Sequence, residues 1–293
     1  MRAFVTGGLG FVGRRLTPRL ESANYQIVSP ATEVDVTDTN AFGSSLANAS
    51  PDVVIHLAAQ SSVAESWRDP EGCFRVNFEG TLNVIRAMLQ HCPKARLLFV
   101  SSGDTYGSRV PGAERCRESE PLRPASPYAQ SKAAAERLAS FAGEHGLDVV
   151  CSRSFNHTGA GQPDVFVASS FAHQLADMEN RNAEPLMRVG NLDSVRDFLD
   201  VEDAIDAYLD LLAPETPAGT YNVASGRAVS IRELLDCLIT LSSVKPEIQT
   251  DPERFRATDY LVGDPSLLRQ TSGWEAKTPL NETLRELLDA WRQ

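Results

Sequence analysis

Short unbroken apolar runs alternate along this chain with stretches of helical spacing. Residues 2–6 form the first run, and Gly7-Gly8 stops it. A helical pattern follows over 11–22, and 25–29 reads as a second strand. Residues 51–58 (with Val53, Val54, Ile55 and Leu57), 97–101 and 148–152 are further apolar runs. Such runs suit strands of a parallel sheet covered on both faces. Residues 74–92 and 128–143 carry the helical pattern between them. The alternation predicts βαβ units with right-handed crossovers, hence an α/β fold with a doubly wound parallel sheet.

Beyond residue 153 the rhythm turns irregular. Helices are predicted over 164–180, 201–212, 230–242 and 279–292, with loops rich in Pro, Gly and Arg between them. No internal repeat, low-complexity tract or flexible linker interrupts the chain, so the second half is expected to pack on the first. The expected division is a nucleotide-binding domain over 1–153, to which 198–222 return, and a smaller, mostly helical substrate-binding region over 154–197 and 223–293. A length of 293 residues accommodates one large or two modest domains.

Composition acts mainly by exclusion. With 42% hydrophobic and 23% charged residues, the chain can fill a globular core. A formal net charge of −11 argues against a nucleic-acid partner, which needs basic surface. A phosphorylated small ligand remains compatible, because local arginines and helix N-termini can hold one. Five cysteines, at 73, 92, 116, 151 and 237, show no C-x-x-C spacing. They read as free thiols in a reducing compartment, and no metal site is expected. No apolar run approaches the ~20 residues that span a bilayer. A strand starting directly after Met1 leaves no room for a signal peptide. A cytoplasmic protein without a membrane partner is the expectation.

Gly7, Gly10 and Gly13 stand between the first strand and the first helix, in the order Gly7-Gly8-Leu9-Gly10-Phe11-Val12-Gly13. A sharp turn, close approach of backbone to a pyrophosphate and a free helix N-terminus are what a dinucleotide requires there. Glycines also mark ordinary turns, but the strand–turn–helix setting favours a Rossmann-type cofactor site. An acidic residue ending the second strand would bind the adenosine ribose and favour NAD(H). Ser29, followed by Pro30 and Ala31, stands there instead, which leans toward NADP(H). Arg14 and Arg15 are the cations in reach of a 2′-phosphate, and both also read as solvated helix residues. Asp35 and Val36 are expected beside the adenine ring.

Ser126-Pro127-Tyr128-Ala129-Gln130-Ser131-Lys132 starts a helix with a good N-cap and a proline at its first position. Tyr128 and Lys132, four apart, share one face of it. A neighbouring ammonium favours a phenolate, so Lys132 is expected to draw Tyr128 down from its ordinary ~10 toward a useful range for proton transfer. Such a pair alone is common on surfaces, and its neighbours carry the reading. Residues 97–101 are an apolar strand with Ser102 at its carboxyl end, the edge where such sheets bind ligands. Leu57, Ala58 and Ala59 end another strand with residues that let a cofactor approach, and Asn77 sits in a helix before Gly80-Thr81. Ser102, Tyr128 and Lys132 are therefore the candidate catalytic residues. His56 reads as a satisfied structural histidine, and His157 as positional.

These motifs together resemble the extended short-chain dehydrogenase/reductases that modify nucleotide sugars. Within them, Arg153-Ser154-Phe155-Asn156-His157-Thr158-Gly159-Ala160-Gly161-Gln162 is similar to the R-x-F-N-H-x-G-P-G-Q motif of the GDP-mannose branch, as are 190–198 and 251–264. The resemblance implies that Tyr128, Lys132 and Phe155 join the glycine loop in holding NADP(H) or NAD(H). It implies substrate contacts from Ser61, Asp104, Asn156, Arg196, Arg256 and Asp259, with the arginines on the diphosphate. Each arginine also fits an internal ion pair. Dehydratases of the branch carry a glutamate as eliminating base where this chain has Asp104, one methylene shorter. The loss of reach favours a reductase that takes the C4 ketone of GDP-4-keto-6-deoxy-mannose to GDP-D-rhamnose. A 4,6-dehydratase, a 4-epimerase, a reductase giving GDP-6-deoxy-talose and a non-catalytic dinucleotide sensor are the alternatives. A homodimer through helices 74–92 and 128–143 is also implied.

Overall fold

The computed structural model describes residues 1–30, 34–110, 112–181, 183–252 and 259–293. In chain order the strands are β1 (Arg2–Thr6), β2 (Gln26–Ile27), β3 (Val53–His56), β4 (Arg96–Ser102), β5 (Val149–Ser154), β6 (Asn156–Thr158), β7 (Leu186–Val189), β8 (Val195–Arg196), β9 (Phe198–Asp200), β10 (Gly219–Val223), β11 (Val229–Ser230), β12 (Glu247–Thr250) and β13 (Tyr260–Leu261). The helices are α1 (Gly13–Ser22), α2 (Thr39–Ala49), α3 (Val63–Arg68), α4 (Pro70–Phe74), α5 (Gly80–His91), α6 (Pro127–Glu144), α7 (Val167–Glu179), α8 (Val201–Leu212), α9 (Ile231–Leu241), α10 (Ser266–Ser272) and α11 (Leu280–Trp291).

Six parallel strands form one sheet in the order β10-β5-β4-β3-β1-β2. Side chains alternate across it, as strand geometry requires. Ala3, Val5, Val53 and Ile55 face α1 and α8, while Phe4, Val54, Leu97 and Phe99 face α2, α5 and α6. The chain runs outward from β1 to β2, then returns to the other side of β1 as β3. That reversal between β1 and β3 opens the crevice where doubly wound sheets take a dinucleotide. A third core, built by α7, α9, α11 and β7, lies in the second half. A small fourth core under Phe155 and Tyr106 supports the carboxyl edge.

Local chemistry explains most element ends. Ser126 accepts from the backbone of Ala129 and Pro127 occupies the first turn of α6. Asp200 caps α8, and Ser230 with Glu233 forms a capping box on α9. The helix expected over 74–92 is interrupted: α4 ends at Phe74, a single π-turn spans Arg75–Glu79, and α5 begins at Gly80. A Cβ at Gly80 would lie 2.7 Å from Cγ2 of Val36, so only glycine lets this helix approach the strand-side core. All five cysteines are free thiols. Among the described residues no helix is long and apolar enough to cross a membrane.

Candidate active site

The glycine loop leaves β1 and enters α1 against the end of β3. Gly7 has φ +69°, and a Cβ there would lie 2.7 Å from the Ala58 nitrogen. A Cβ at Gly13 would lie 2.3 Å from the Gly7 carbonyl oxygen. The loop is thus a cradle whose width a side chain would destroy. The α1 N-terminus has no side-chain cap at Val12 and no acid in its first turn, so its amides and dipole remain available to an anion. A cavity of about 320 Å³ opens beside it, lined among others by Gly8, Leu9, Arg14, Ile27, Ser29 and Pro30. These features fit a nicotinamide dinucleotide.

The two candidate arginines separate. Arg15 stacks on the Phe11 ring at 4.8 Å, pairs with Glu202 and donates to the Ala160 carbonyl. Arg14 is exposed, lines the cavity and makes no ion pair among the described residues.

Three of the expected cofactor residues also make contacts within the protein. Asn77 is buried, with its side chain already committed. Its Oδ1 accepts from the Gln60 amide at 2.8 Å, and its Nδ2 donates to the Gln60 carbonyl at 3.0 Å and to Ser131 Oγ at 2.9 Å. It ties the loop after β3 to α6, where a mid-helix amide needs partners. The Val36 side chain belongs to the core, and its carbonyl accepts from Asn83. The Phe155 ring is enclosed. A Cβ at Gly103 or Gly263 would come within 2.9 or 2.6 Å of it, so it props the site from beneath. Asp35 accepts from the Thr37 amide and hydroxyl, which shapes the loop before α2.

Ser102 ends β4 and accepts from the Asp104 amide at 3.1 Å, starting a short 3-10 turn over Gly103–Tyr106. The Tyr128 phenol approaches Ser102 from the first turn of α6. Lys132, one turn on, is buried. Its ammonium donates to the Val100 carbonyl and lies 4.7 Å from the centre of the Phe99 ring. Burial draws its pKa down to about 8, against the pull of the Glu136 carboxylate. The expectation that Lys132 draws Tyr128 downward is not met. Burial and the Asp104 carboxylate push the Tyr128 phenol well above its ordinary value, and the nearby Ser102 hydroxyl only partly opposes them. The ammonium is turned toward β4, so desolvation decides the phenol's state.

Asp104 is half-buried, and burial pushes its carboxyl up while Arg196 opposes and Asp259 reinforces the shift. Arg196 on β8 and Asp259 before β13 form a two-pronged pair, both bonds 2.6 Å. The two expected substrate contacts are therefore bound to each other. Asn156 stands exposed at the start of β6, and Ser61 is exposed after β3. Arg256 lies outside the described residues. His56 is satisfied as expected, bonded to Thr6 and Thr81, and burial lowers its pKa to about 3. His157 bonds the Phe155 carbonyl through Nδ1.

Sequence reasoning missed the group beneath the catalytic helix. Glu136, Arg153, Ser101 and Tyr106 form one buried network. The one available signal was an acid four residues beyond Lys132.

A six-stranded doubly wound sheet, a glycine cradle at its switch point and a Ser-Tyr-Lys set at its carboxyl edge define a short-chain dehydrogenase/reductase, a class of NAD(P)-dependent oxidoreductases. The model of the GDP-mannose 4,6 dehydratase family matches residues 29–287, and the chain belongs to that family. It is 38% identical to GDP-6-deoxy-D-mannose reductase of Pseudomonas aeruginosa, covering 99% of this chain and 97% of that one. It is 29% identical to GDP-6-deoxy-D-talose 4-dehydrogenase of Aggregatibacter actinomycetemcomitans, covering 93% and 92%. The solved structure of RMD from Pseudomonas aeruginosa with NADPH superposes with a TM-score of 0.92, at 36% identity over 99% of this chain and 98% of that one.

Proposed function

We propose that this protein reduces the C4 ketone of GDP-4-keto-6-deoxy-D-mannose to GDP-D-rhamnose, with NADPH favoured over NADH. The carrying observation is Asp104, a shorter carboxylate where dehydratases of the branch carry a glutamate, beside the Ser102, Tyr128 and Lys132 set at the sheet's carboxyl edge. A reduction needs a neutral acid beside the ketone. The identity to the Pseudomonas aeruginosa reductase supports the same reading.

The loop Gly7–Gly13 and the α1 amides hold the pyrophosphate, and the cavity by Ser29 and Arg14 takes the adenosine end. The bound dinucleotide supplies the hydride. Ser102 donates a hydrogen bond to the ketone oxygen and stabilises its developing charge. Tyr128 then gives its proton to that oxygen, which is more basic than a phenolate. Lys132 orients the cofactor ribose and stabilises the phenolate left behind. Asp104 contacts a sugar hydroxyl; one methylene shorter than a glutamate, it is poorly placed to remove a C5 proton. Asn156, Arg196, Arg256, Asp259 and Ser61 line the path of the GDP-sugar, with Arg196 exchanging Asp259 for diphosphate. In this reading 1–153 with 198–222 carry the cofactor, and 154–197 with 223–293 carry the GDP moiety.

A homodimer and a cytoplasmic location complete the proposal. Exposed Trp67, Phe74, Leu89 and Phe141 on α3–α6 supply an apolar face, and free thiols suit a reducing compartment. A monomeric mass at assay concentration would remove the dimer. Cofactor stoichiometry tests the activity itself. One NADPH oxidised per sugar converted is expected, whereas conversion without net oxidation would mean a dehydratase or epimerase.

A further inference from the structure

Glu136 lies one helical turn beyond Lys132 on α6 and is only 3% exposed. Its Oε1 accepts from Arg153 Nε at 2.9 Å and Nη2 at 2.7 Å, and its Oε2 accepts from Ser101 Oγ at 2.5 Å. Arg153 Nη1 in turn donates to the Tyr106 hydroxyl at 2.8 Å and the Glu118 carbonyl at 3.1 Å. Ser101 and Arg153 are register partners across β4 and β5. One buried carboxylate therefore joins the helix of Tyr128 and Lys132, the strand ending in Ser102, and the turn carrying Asp104.

Stability alone explains this poorly. Burying an ion pair costs roughly what its attraction returns, and apolar side chains of equal volume would hold the layers as well. Apolar side chains cannot supply a fixed negative charge beside Lys132. The other groups around that ammonium are the Val100 carbonyl and Phe99 ring of β4, the thiols of Cys73 and Cys151 from α4 and β5, and His56 of β3. Burial holds His56 neutral and pushes the Cys151 thiol up. Glu136, one helical turn from Lys132 on α6, supplies a carboxylate that favours the ammonium without forming a direct ion pair with it among the described residues.

We propose that Glu136, fixed by Arg153 and Ser101, is a positioning residue that holds Lys132 in its charged form and sets the Tyr128–Lys132 helix against Ser102. Its catalytic consequence rests on the reductase reading; the charge coupling does not. In Glu136→Gln the ammonium loses its counter-charge and Arg153 is left uncompensated. Both effects favour the neutral amine, so Lys132 titrates at lower pH.

The test follows the lysine Cε resonances of full-length, 13C-lysine-labelled protein against pH, with Lys132 identified by its loss in Lys132→Arg. In Glu136→Gln the Lys132 midpoint is expected to fall by about one pH unit, a tenfold change in the ammonium-to-amine ratio. The alkaline limb of kcat/KM for the keto sugar moves with it. Glu136→Asp, which retains the charge, keeps the midpoint. If Glu136→Gln does not fold, Glu136→Gln/Arg153→Gln leaves two amides to bond each other, and the midpoint falls by less, because the Arg153 cation leaves with the anion. An unmoved midpoint in either folded variant overturns the proposal. The titration needs no substrate, so failure of the wild type to turn over the keto sugar would sink the reductase reading alone.

Discussion

In the proposed reduction Tyr128 is the acid, and desolvation together with the Asp104 carboxylate holds its phenol in the protonated form. Tyr128→Phe is expected to lower kcat by roughly 10²–10⁴, the usual worth of a positioned proton donor, while NADPH binding by fluorescence titration stays near wild type. Near-wild-type turnover would remove Tyr128 from the chemistry. Arg14 gives a second residue-scale prediction. Arg14 lines the cavity proposed for the adenosine end and makes no ion pair among the described residues, which would leave its guanidinium to a 2′-phosphate. Losing a charge-assisted contact worth roughly 1.5–3 kcal/mol should raise the KM for NADPH about tenfold to a hundredfold in Arg14→Ala, and leave that for NADH unchanged. Equal effects on both cofactors would argue for a different ligand. The choice between Arg14 and Arg15 was not legible in the sequence. It depends on Glu202 and Ala160, brought up by the second half of the chain.

At the scale of elements, legibility followed the length of the pattern. Long runs such as α8 appeared at their observed bounds, because three turns of amphipathic spacing leave little freedom. The strand expected over 25–29 shrinks to Gln26–Ile27 at the sheet's edge. Strands of two to four residues such as β8, β11 and β12 are too short to show a period. The pairing of Arg196 with Asp259 was hidden for the same reason, since it requires β8 and β13 to be neighbours. The π-turn at Arg75–Glu79 was also hidden, because it is set by what Asn77 bonds across the fold. The glycine loop was legible, and its geometry sharpens it. In Gly13→Ala the new methyl meets two backbone segments, Gly7 oxygen at 2.3 Å and Gly8 Cα at 2.6 Å, and neither is free to yield. Overpacking of this kind costs about 1–3 kcal/mol. The variant is expected to fold with a lower Tm and lose dinucleotide binding. Unchanged affinity for NADPH would show that the loop does not hold the pyrophosphate.

Across the whole molecule, the sheet that aligns the site also stores a pH dependence. His56 is held neutral between Thr6 and Thr81, with its pKa lowered to about 3. In the unfolded chain the same ring titrates near ~6.5. Below that value the unfolded state binds a proton that the native state refuses. The stability His56 contributes is therefore full above about pH 6.5 and is lost as pH falls toward the folded value. Asp197, raised to about 6 by burial, slopes the other way over part of this range, so a difference isolates the histidine. The urea-unfolding free energy of wild type minus His56→Gln should shrink between pH 7 and pH 5, by at most roughly 1.4 kcal/mol per pH unit. A pH-independent gap would mean that His56 is not held neutral.

In the proposed reaction a hydride goes to C4 of a keto sugar while Tyr128 protonates the oxygen. Single-turnover reaction of the wild-type protein with GDP-4-keto-6-deoxy-D-mannose and NADPH dideuterated at nicotinamide C4, read by NMR of the sugar, tests it most directly. The predicted result is GDP-D-rhamnose carrying deuterium at C4. Deuterium in GDP-6-deoxy-D-talose would contradict the assigned stereochemistry, and unlabelled or unconverted sugar would contradict the reduction itself.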